Sequence, residues 1–442
     1  MRVLFGLLFF PRGGSSHVAR ALATELPAHG WDVTVLSGSL PGGHGDARAF
    51  YSGLELETVD FGPGGAPMHP SYEDRPDAPD PCFAQVDDEA YRDHVAHWVR
   101  ALERAGAASA DVLHLHHLTP LNEAAAQVAP DVPVVGHLHG TELLMLERIA
   151  AGAPASWTHA DAWAARLRRW AGACERLIML SQSQVGRATK LLGVDSRKCV
   201  VVPNGFDAER FRPAPVDRKA FWRRQLVEHP GGWAPGEPAG SVAYDDAAIA
   251  TLADAVVLIA VGRFTEVKRL TLLIQAFEQA RRRTAQPAAL VLIGGHPGEW
   301  EGEHPLETIE RIGARDVFLA GWHDHDALPE FLNAADAQVL ASVREQFGLV
   351  LVEGMACGLP PIAVDRFGPA EIVDEGATGW LVPPDDEAAL ADAIVELVDD
   401  GDERARRGAA ARQSAQARWT WPALAGRIAE LLELARTANL KT

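Results

Sequence analysis

Paired cysteines, a surplus of positive charge and long apolar runs are all missing from this sequence. The four cysteines, Cys82, Cys174, Cys199 and Cys357, are scattered with no CxxC spacing, which points to a reducing compartment and excludes a cysteine-bound zinc. Against 60 acidic residues there are 41 basic ones, a net charge of −19. A nucleic-acid partner needs the opposite balance and is excluded. No apolar run reaches the length that spans a bilayer, so a soluble, cytoplasmic protein is expected. The apolar opening Met1–Phe10 carries one charge and runs straight into a Gly-rich loop, so it is expected to be a first buried strand rather than a signal-peptide core. GxGxxG is also absent, and no acidic residue closes the following strand in the dinucleotide pattern, which disfavours a nicotinamide enzyme.

What is present is enough chain for two domains, 442 residues, with 47% hydrophobic and 23% charged residues, as in an ordinary soluble protein. The first half begins with a strand over 2–10, the loop Pro11–Ser16 and a helix His17–His29 with Val18, Leu22 and Leu26 on one stripe. Asp32–Ser37 is the next strand. This strand–loop–helix–strand unit starts a parallel, doubly wound sheet. In its loop, Gly13 and Gly14 would let backbone approach a ligand closely. Residues 62–90, rich in Pro, Gly and Asp, are expected either as a lid over a second substrate or as a surface loop.

Two further strands end in histidines, Asp111–His117 and Val132–Glu142. Alternation puts His114 with His116, and His137 with His139, on one face each. No carboxylate or cysteine stands at a ligand spacing, so no metal is expected. His139, just before Gly140, is a candidate donor or base at a carboxyl-end crevice. The segment Ala160–Ala173 is amphipathic. Trp163, Leu167 and Trp170 share a core face, with Arg166 and Arg169 on a basic, solvated one; such a helix can also lie on a membrane.

The second half restarts the pattern after Val202–Asp207, with residues 213–250 expected as an insertion between domains. A strand Ala255–Val261 leads into Gly262–Lys268, where Arg263 and Lys268 would give a diphosphate a planar fork and a point charge. Charge growing on the leaving oxygen is then stabilised by fixed cations. The repeat carries the stretch Ser342–Pro360, with two carboxylates, Glu345 and Glu353, flanking a buried helix over Phe347–Cys357, and continues through Pro361–Val364 and Gly379–Pro384. Eight helical residues rise about 12 Å, so the two carboxylates suit separate parts of one long ligand, and the helix N-terminus between them suits an anion. His323-Asp324-His325-Asp326 resembles a metal clamp, but Asp326 directly precedes an apolar helix and is expected to cap it.

In this order and register, the paired glutamates, Gly262-Arg263-Phe264 with Lys268, Val202–Asp207, Gly13-Gly14 and His139–Glu142 resemble a retaining glycosyltransferase of the GT-B fold, family 4 (glycosyl transferases group 1), over nearly the whole chain. The resemblance implies two Rossmann-like parallel-sheet domains, 1–205 for the acceptor and 206–420 for the donor, facing a central cleft, with a last helix over 421–442 returning to the first. It implies that Arg263 and Lys268 hold the donor diphosphate and Glu345 the sugar hydroxyls. Glu353 would hold the ribose, and Phe347, Gly348 and Leu349 complete the donor site. Gly13 and Gly14 would approach the phosphates, His139 would lie near the sugar on the acceptor side, and Arg315 and Val317 would face the base.

The reaction so implied moves a sugar from a UDP- or GDP-linked donor to a small polar acceptor with retention, without cofactor or metal. The leaving phosphate takes the acceptor's proton. Partners are then the nucleotide sugar and the small-molecule acceptor, with room for a homodimer and no stable membrane association. Ala341 and Gln346, which flank Glu345, replace the Pro and Gly more usual in the family. Rival readings are a membrane-associated enzyme with a lipid-linked acceptor, an epimerase or phosphorylase on the same fold, and a non-catalytic nucleotide-sugar sensor.

Overall fold

The computed structural model describes residues 1–11, 13–43, 45–72 and 80–439. It divides into two compact units, Met1–Asn204 together with the closing segment from Trp421, and Gly205–Thr420.

In the first unit the described strands are β1 (Arg2–Leu7), β2 (Asp32–Ser39), β3 (Glu55–Asp60), β4 (Val112–His116), β5 (Val134–His137), β6 (Arg176–Met179) and β7 (Cys199–Val201). All neighbours run parallel, in the order β3-β2-β1-β4-β5-β6-β7. Strand order reverses between β1 and β4, the place where such sheets bind ligands beyond their carboxyl ends. The opening apolar run is therefore a central strand, buried from Val3 to Leu7, as a parallel sheet covered on both faces requires. One face is covered by Val18 and Leu22 of the helix Gly14–Glu25, together with Leu424, Ile428 and Leu432 of the helix Trp421–Asn439.

The Pro/Gly-rich segment from 62 onward is largely packed. Ala66 N–H bonds Asp60 O at 2.8 Å to close a turn. Tyr72 donates its hydroxyl to Leu118 O, and Cys82, Phe83 and Ala84 are buried. The described parts are thus core-anchored rather than a loose surface loop; the middle of the expected lid, 73–79, lies outside the described residues.

The second unit holds β8 (Val256–Val261), β9 (Ala288–Ile293), β10 (Val317–Gly321), β11 (Ala337–Leu340), β12 (Pro361–Val364) and β13 (Trp380–Val382). They form a second all-parallel sheet, ordered β10-β9-β8-β11-β12-β13. Its switch point lies between β8 and β11, so the loops leaving those two strands flank the expected ligand crevice. Residues 213–250 are not an insertion between units. Trp222 and Trp233 are buried, Trp233 Nε1 donates to Gly295 O at 3.2 Å, and Tyr244 accepts Leu319 N–H at 2.9 Å. This aromatic anchoring, which no residue periodicity announces, makes the segment a cover for the β10 edge.

Glycine is required where β9 ends. Gly294 has φ +116°, and a Cβ there would stand 2.2 Å from Gly262 O. That contact lets the loop after β8 lie directly on the loop after β9. Gly294→Ala is expected to destabilise the second unit by at least about 2 kcal/mol, read as a Tm lowered by roughly 4–8 °C. An unchanged melting curve would contradict the close approach.

Candidate functional site

The loop after β8 is built outward from its apolar residue. Phe264 is buried against Trp233, ring centroids 5.7 Å apart and nearly parallel, which leaves Arg263 exposed beside it. The loop closes in a short turn, Glu266–Lys268. Lys268 packs its aliphatic stem along Gly262 and donates Nζ to Glu345 Oε2 at 2.6 Å. Val343 N–H bonds Val267 O at 3.0 Å, tying the loops after β8 and β11 together at the switch point. Both side chains of the pair are only about one-fifth exposed. An ammonium has three N–H groups, so Lys268 keeps donors for a second anion.

Glu345 lies just before Gly348, whose φ of +102° starts the helix Leu349–Ala356. Phe347 is buried beneath this turn, and Gln338 donates to Leu351 O at 2.7 Å to seat the helix on β11. One turn before the helix ends, Glu353 is buried and accepts from His325 Nε2 at 2.6 Å. His325 stands in the turn His325–Ala327 beyond the carboxyl end of β10. It was missed as a site residue because its partner is 28 positions away; the only signal was its place after a strand's carboxyl end.

Two expectations are corrected. Arg315 and Val317 lie at the amino end of β10, where Arg315 N–H bonds Glu278 and Val317 is in the core. Arg263, Lys268 and Glu345 follow the carboxyl ends of their strands, so Arg315 and Val317 are not brought to this group. Asp326 does not cap the helix Leu328–Asn333, whose N-cap is Ala327; it pairs with Arg210 instead.

In the first unit, Gly13 is the N-cap of the helix Gly14–Glu25 in an ordinary extended conformation. A Cβ at Gly13 or Gly14 would meet nothing within 4 Å. Packing within the described residues therefore does not demand glycine at either position.

The histidines form a tetrad. His116 pairs in register with His137 on the neighbouring strand, and all four rings share one face. His114 Nε2 lies 3.2 Å from His137 Nδ1, and His116 Nδ1 lies 3.0 Å from His139 Nε2. Within each pair the rings are nearly parallel with centroids more than 5 Å apart, so they meet edge to edge. The two pairs then lie one above the other, with 4.8 Å between His114 and His116 and 4.6 Å between His137 and His139. His114, His116 and His137 offer ring nitrogens within 4.8 Å of one another. Edge-to-edge contact directs one nitrogen of each ring at its neighbour, while His114 Nδ1, His116 Nε2 and His137 Nε2 are buried without partners among the described residues. Beside the tetrad, His117 is held at φ +67°. Its Nδ1 contacts Glu142 Oε1 at 2.6 Å, while Gly140 N–H donates to Glu142 Oε2 at 3.0 Å.

Lost hydration pushes His114 down to about 3 and His94 to about 4, and holds His116, His137 and His139 well below the ordinary histidine value of 6.5. These rings are neutral in the fold and protonate more readily in the unfolded chain. Stability is accordingly complete above about pH 6.5 and falls as pH drops toward 3–4. Urea midpoints of the first unit should drop steeply between pH 6.5 and 4.5; a flat profile would contradict neutral burial.

The basic face expected on the helix Ala160–Ala173 is not free. Arg166 is buried, pairs with Asp88 and lies 3.9 Å above the Tyr91 ring. Arg169 pairs with Glu123 at 2.5 Å. Of the two arginines, Arg166 is drawn inward while the side chain of Arg169 stays 57% exposed, and among the described residues no helix is long and apolar enough to cross a membrane.

Comparison with known proteins places the chain. Residues 12–210 match the family Glycosyltransferase Family 4, and 246–414 match Glycosyl transferases group 1. The D-inositol 3-phosphate glycosyltransferase of Nocardia farcinica is 32% identical over 53% of this chain and 47% of its own length, so the matched region spans about half of that relative. A glycogen synthase of Mycobacterium tuberculosis is 30% identical over 73% of this chain and 68% of its own. Among solved structures, Anabaena HepE in complex with UDP shares the fold at 20% identity and a TM-score of 0.68, covering 98% of this chain and 100% of HepE. The chain belongs to the GT-B glycosyltransferases of family 4.

Proposed function

We propose that this protein transfers a sugar from a UDP- or GDP-linked donor to a small polar acceptor, with retention of configuration and without a metal. The observation that carries the reading is the Lys268–Glu345 contact at the switch point of the second sheet. It sets a cation for a leaving phosphate directly beside a carboxylate for sugar hydroxyls. Arg263 adds a planar fork to the same loop. Glu353, held by His325, is the carboxylate for the ribose, and the amide groups at Phe347, Gly348 and Leu349 offer donors to the phosphates.

Breaking the sugar–phosphate bond puts charge on the diphosphate, which Arg263 and Lys268 stabilise more strongly than in the ground state. The leaving phosphate oxygen accepts the acceptor's proton, so no protein nucleophile is needed. In the first unit, Gly13 and Gly14 are free of packing demands on their hydrogens, as suits backbone meant to approach a ligand, and His139 is assigned to the sugar on the acceptor side. The likeness to an enzyme named for D-inositol 3-phosphate supports an acceptor of that small, polar class.

The test is release of a nucleoside diphosphate from a panel of nucleotide sugars, with and without polyol and polyol-phosphate acceptors. Release that requires an acceptor supports transfer. Donor binding with no release for any acceptor would overturn it in favour of a sensor.

A further inference from the structure

The histidine tetrad decides which nitrogen of His139 carries the proton. We propose that His116 is a positioning residue that fixes His139 with its proton on Nδ1, so that this ring offers its ligand an N–H rather than a lone pair. The inference deepens the acceptor-side role given to His139 above and rests on that reading for its functional consequence.

A neutral imidazole has one N–H and one lone pair. Across the 3.0 Å contact between His116 Nδ1 and His139 Nε2, one nitrogen donates and the other accepts. Two arrangements satisfy it. In one, His139 donates from Nε2 and the proton of His116 sits on Nε2. That atom is buried and has no partner among the described residues, so this arrangement strands an N–H in the core. In the other, His116 donates from Nδ1, and only a lone pair is stranded at Nε2. Orphaned buried N–H groups are the rarer and costlier defect, so the second arrangement prevails. His139 Nε2 is then an acceptor, and its proton is on Nδ1.

The neighbouring ring of His117 makes no hydrogen bond to His139: its Nε2 meets no partner among the described residues. His117 Nδ1 is engaged by Glu142. The outer nitrogens of the other pair, His114 Nδ1 and His137 Nε2, are themselves buried without partners, so that neutral pair strands one N–H in either arrangement, and the His116–His139 pair decides whether the tetrad strands a second. Burial of His116 and half-burial of His139, which disfavour the charged ring, agree with an arrangement of neutral tautomers. With Nε2 occupied, His139 is not a general base. It is a hydrogen-bond donor suited to a hydroxyl or anionic oxygen, and the acceptor's proton must leave by another route.

The test uses the full chain with 15N-labelled histidine. Two-bond proton–nitrogen correlation spectra distinguish protonated from bare ring nitrogens. The expected spectrum shows His139 protonated at Nδ1 and bare at Nε2; protonation at Nε2 would overturn the proposal, whether or not a sugar acceptor is ever found. The functional arm compares His116→Ala with His116→Asn, whose side-chain N–H falls where Nδ1–H was. His116→Ala is expected to lower kcat/KM for the acceptor about 10-fold, and His116→Asn to recover most of it. Two folded variants equally impaired would also overturn it. Absence of transfer by the wild-type chain would instead remove the enzymatic reading and leave the spectrum to decide the tautomer.

Discussion

Lys268→Ala lowers turnover by about 100- to 1000-fold, the size found when one fixed donor to developing charge is removed, while the second unit stays folded. The folding expectation follows from the position of the pair. Lys268 and Glu345 are each partly open to solvent, so the carboxylate left behind can hydrate at little cost. The turnover expectation follows from the chemistry. In the resting protein Lys268 is engaged by Glu345, and the charge it is placed to meet grows only as the phosphate leaves. Arg263→Ala should act in the same direction, by on the order of 100-fold. The measurement is kcat at saturating donor, with circular dichroism as the folding control. A Lys268→Ala enzyme within a few-fold of wild type would remove this residue from the leaving-group site.

Glu353→Ala should act on binding rather than on chemistry. Glu353 is buried, and its recorded partner is the His325 ring at 2.6 Å, so it is held in one orientation at the far end of a two-turn helix from Glu345. Loss of a charged hydrogen-bond acceptor costs about 1.5–3 kcal/mol, which corresponds to a dissociation constant for the nucleoside diphosphate raised roughly 10- to 100-fold. Turnover at saturating donor should change much less. Calorimetry of the nucleoside diphosphate against Glu353→Ala and Glu353→Gln measures it. A large fall in kcat with unchanged affinity would count against a ribose role and place Glu353 nearer the reacting centre.

Much of the second unit's chemistry was legible because it is local. Arg263 and Lys268 share one loop, Glu345 and Glu353 share one helix and its approach, and both segments follow apolar strands that can only be buried. What stayed illegible depends on partners far away in the chain. Helical periodicity places Arg166 on a polar face, but it cannot see Asp88 and Tyr91, which draw the guanidinium into the core. His325 looked like half of a metal clamp because Glu353 is remote in sequence. Arg315 and Val317 were misplaced for a different reason. The strand itself is legible, but a parallel sheet gathers ligands where its strands leave, and these residues enter β10 rather than leave it. The segment 213–250 lacks helical or strand periodicity over most of its length, and single buried tryptophans hold it to the sheet.

The central claim is that the carboxyl end of the second sheet, between β8 and β11, takes the diphosphate of a nucleotide sugar. A crystal structure of the protein with UDP or GDP tests it most directly. The account predicts phosphate oxygens within hydrogen-bond distance of Arg263 and Lys268, and ribose hydroxyls on Glu353. A nucleotide bound elsewhere, with Lys268 still engaged only by Glu345, would contradict it.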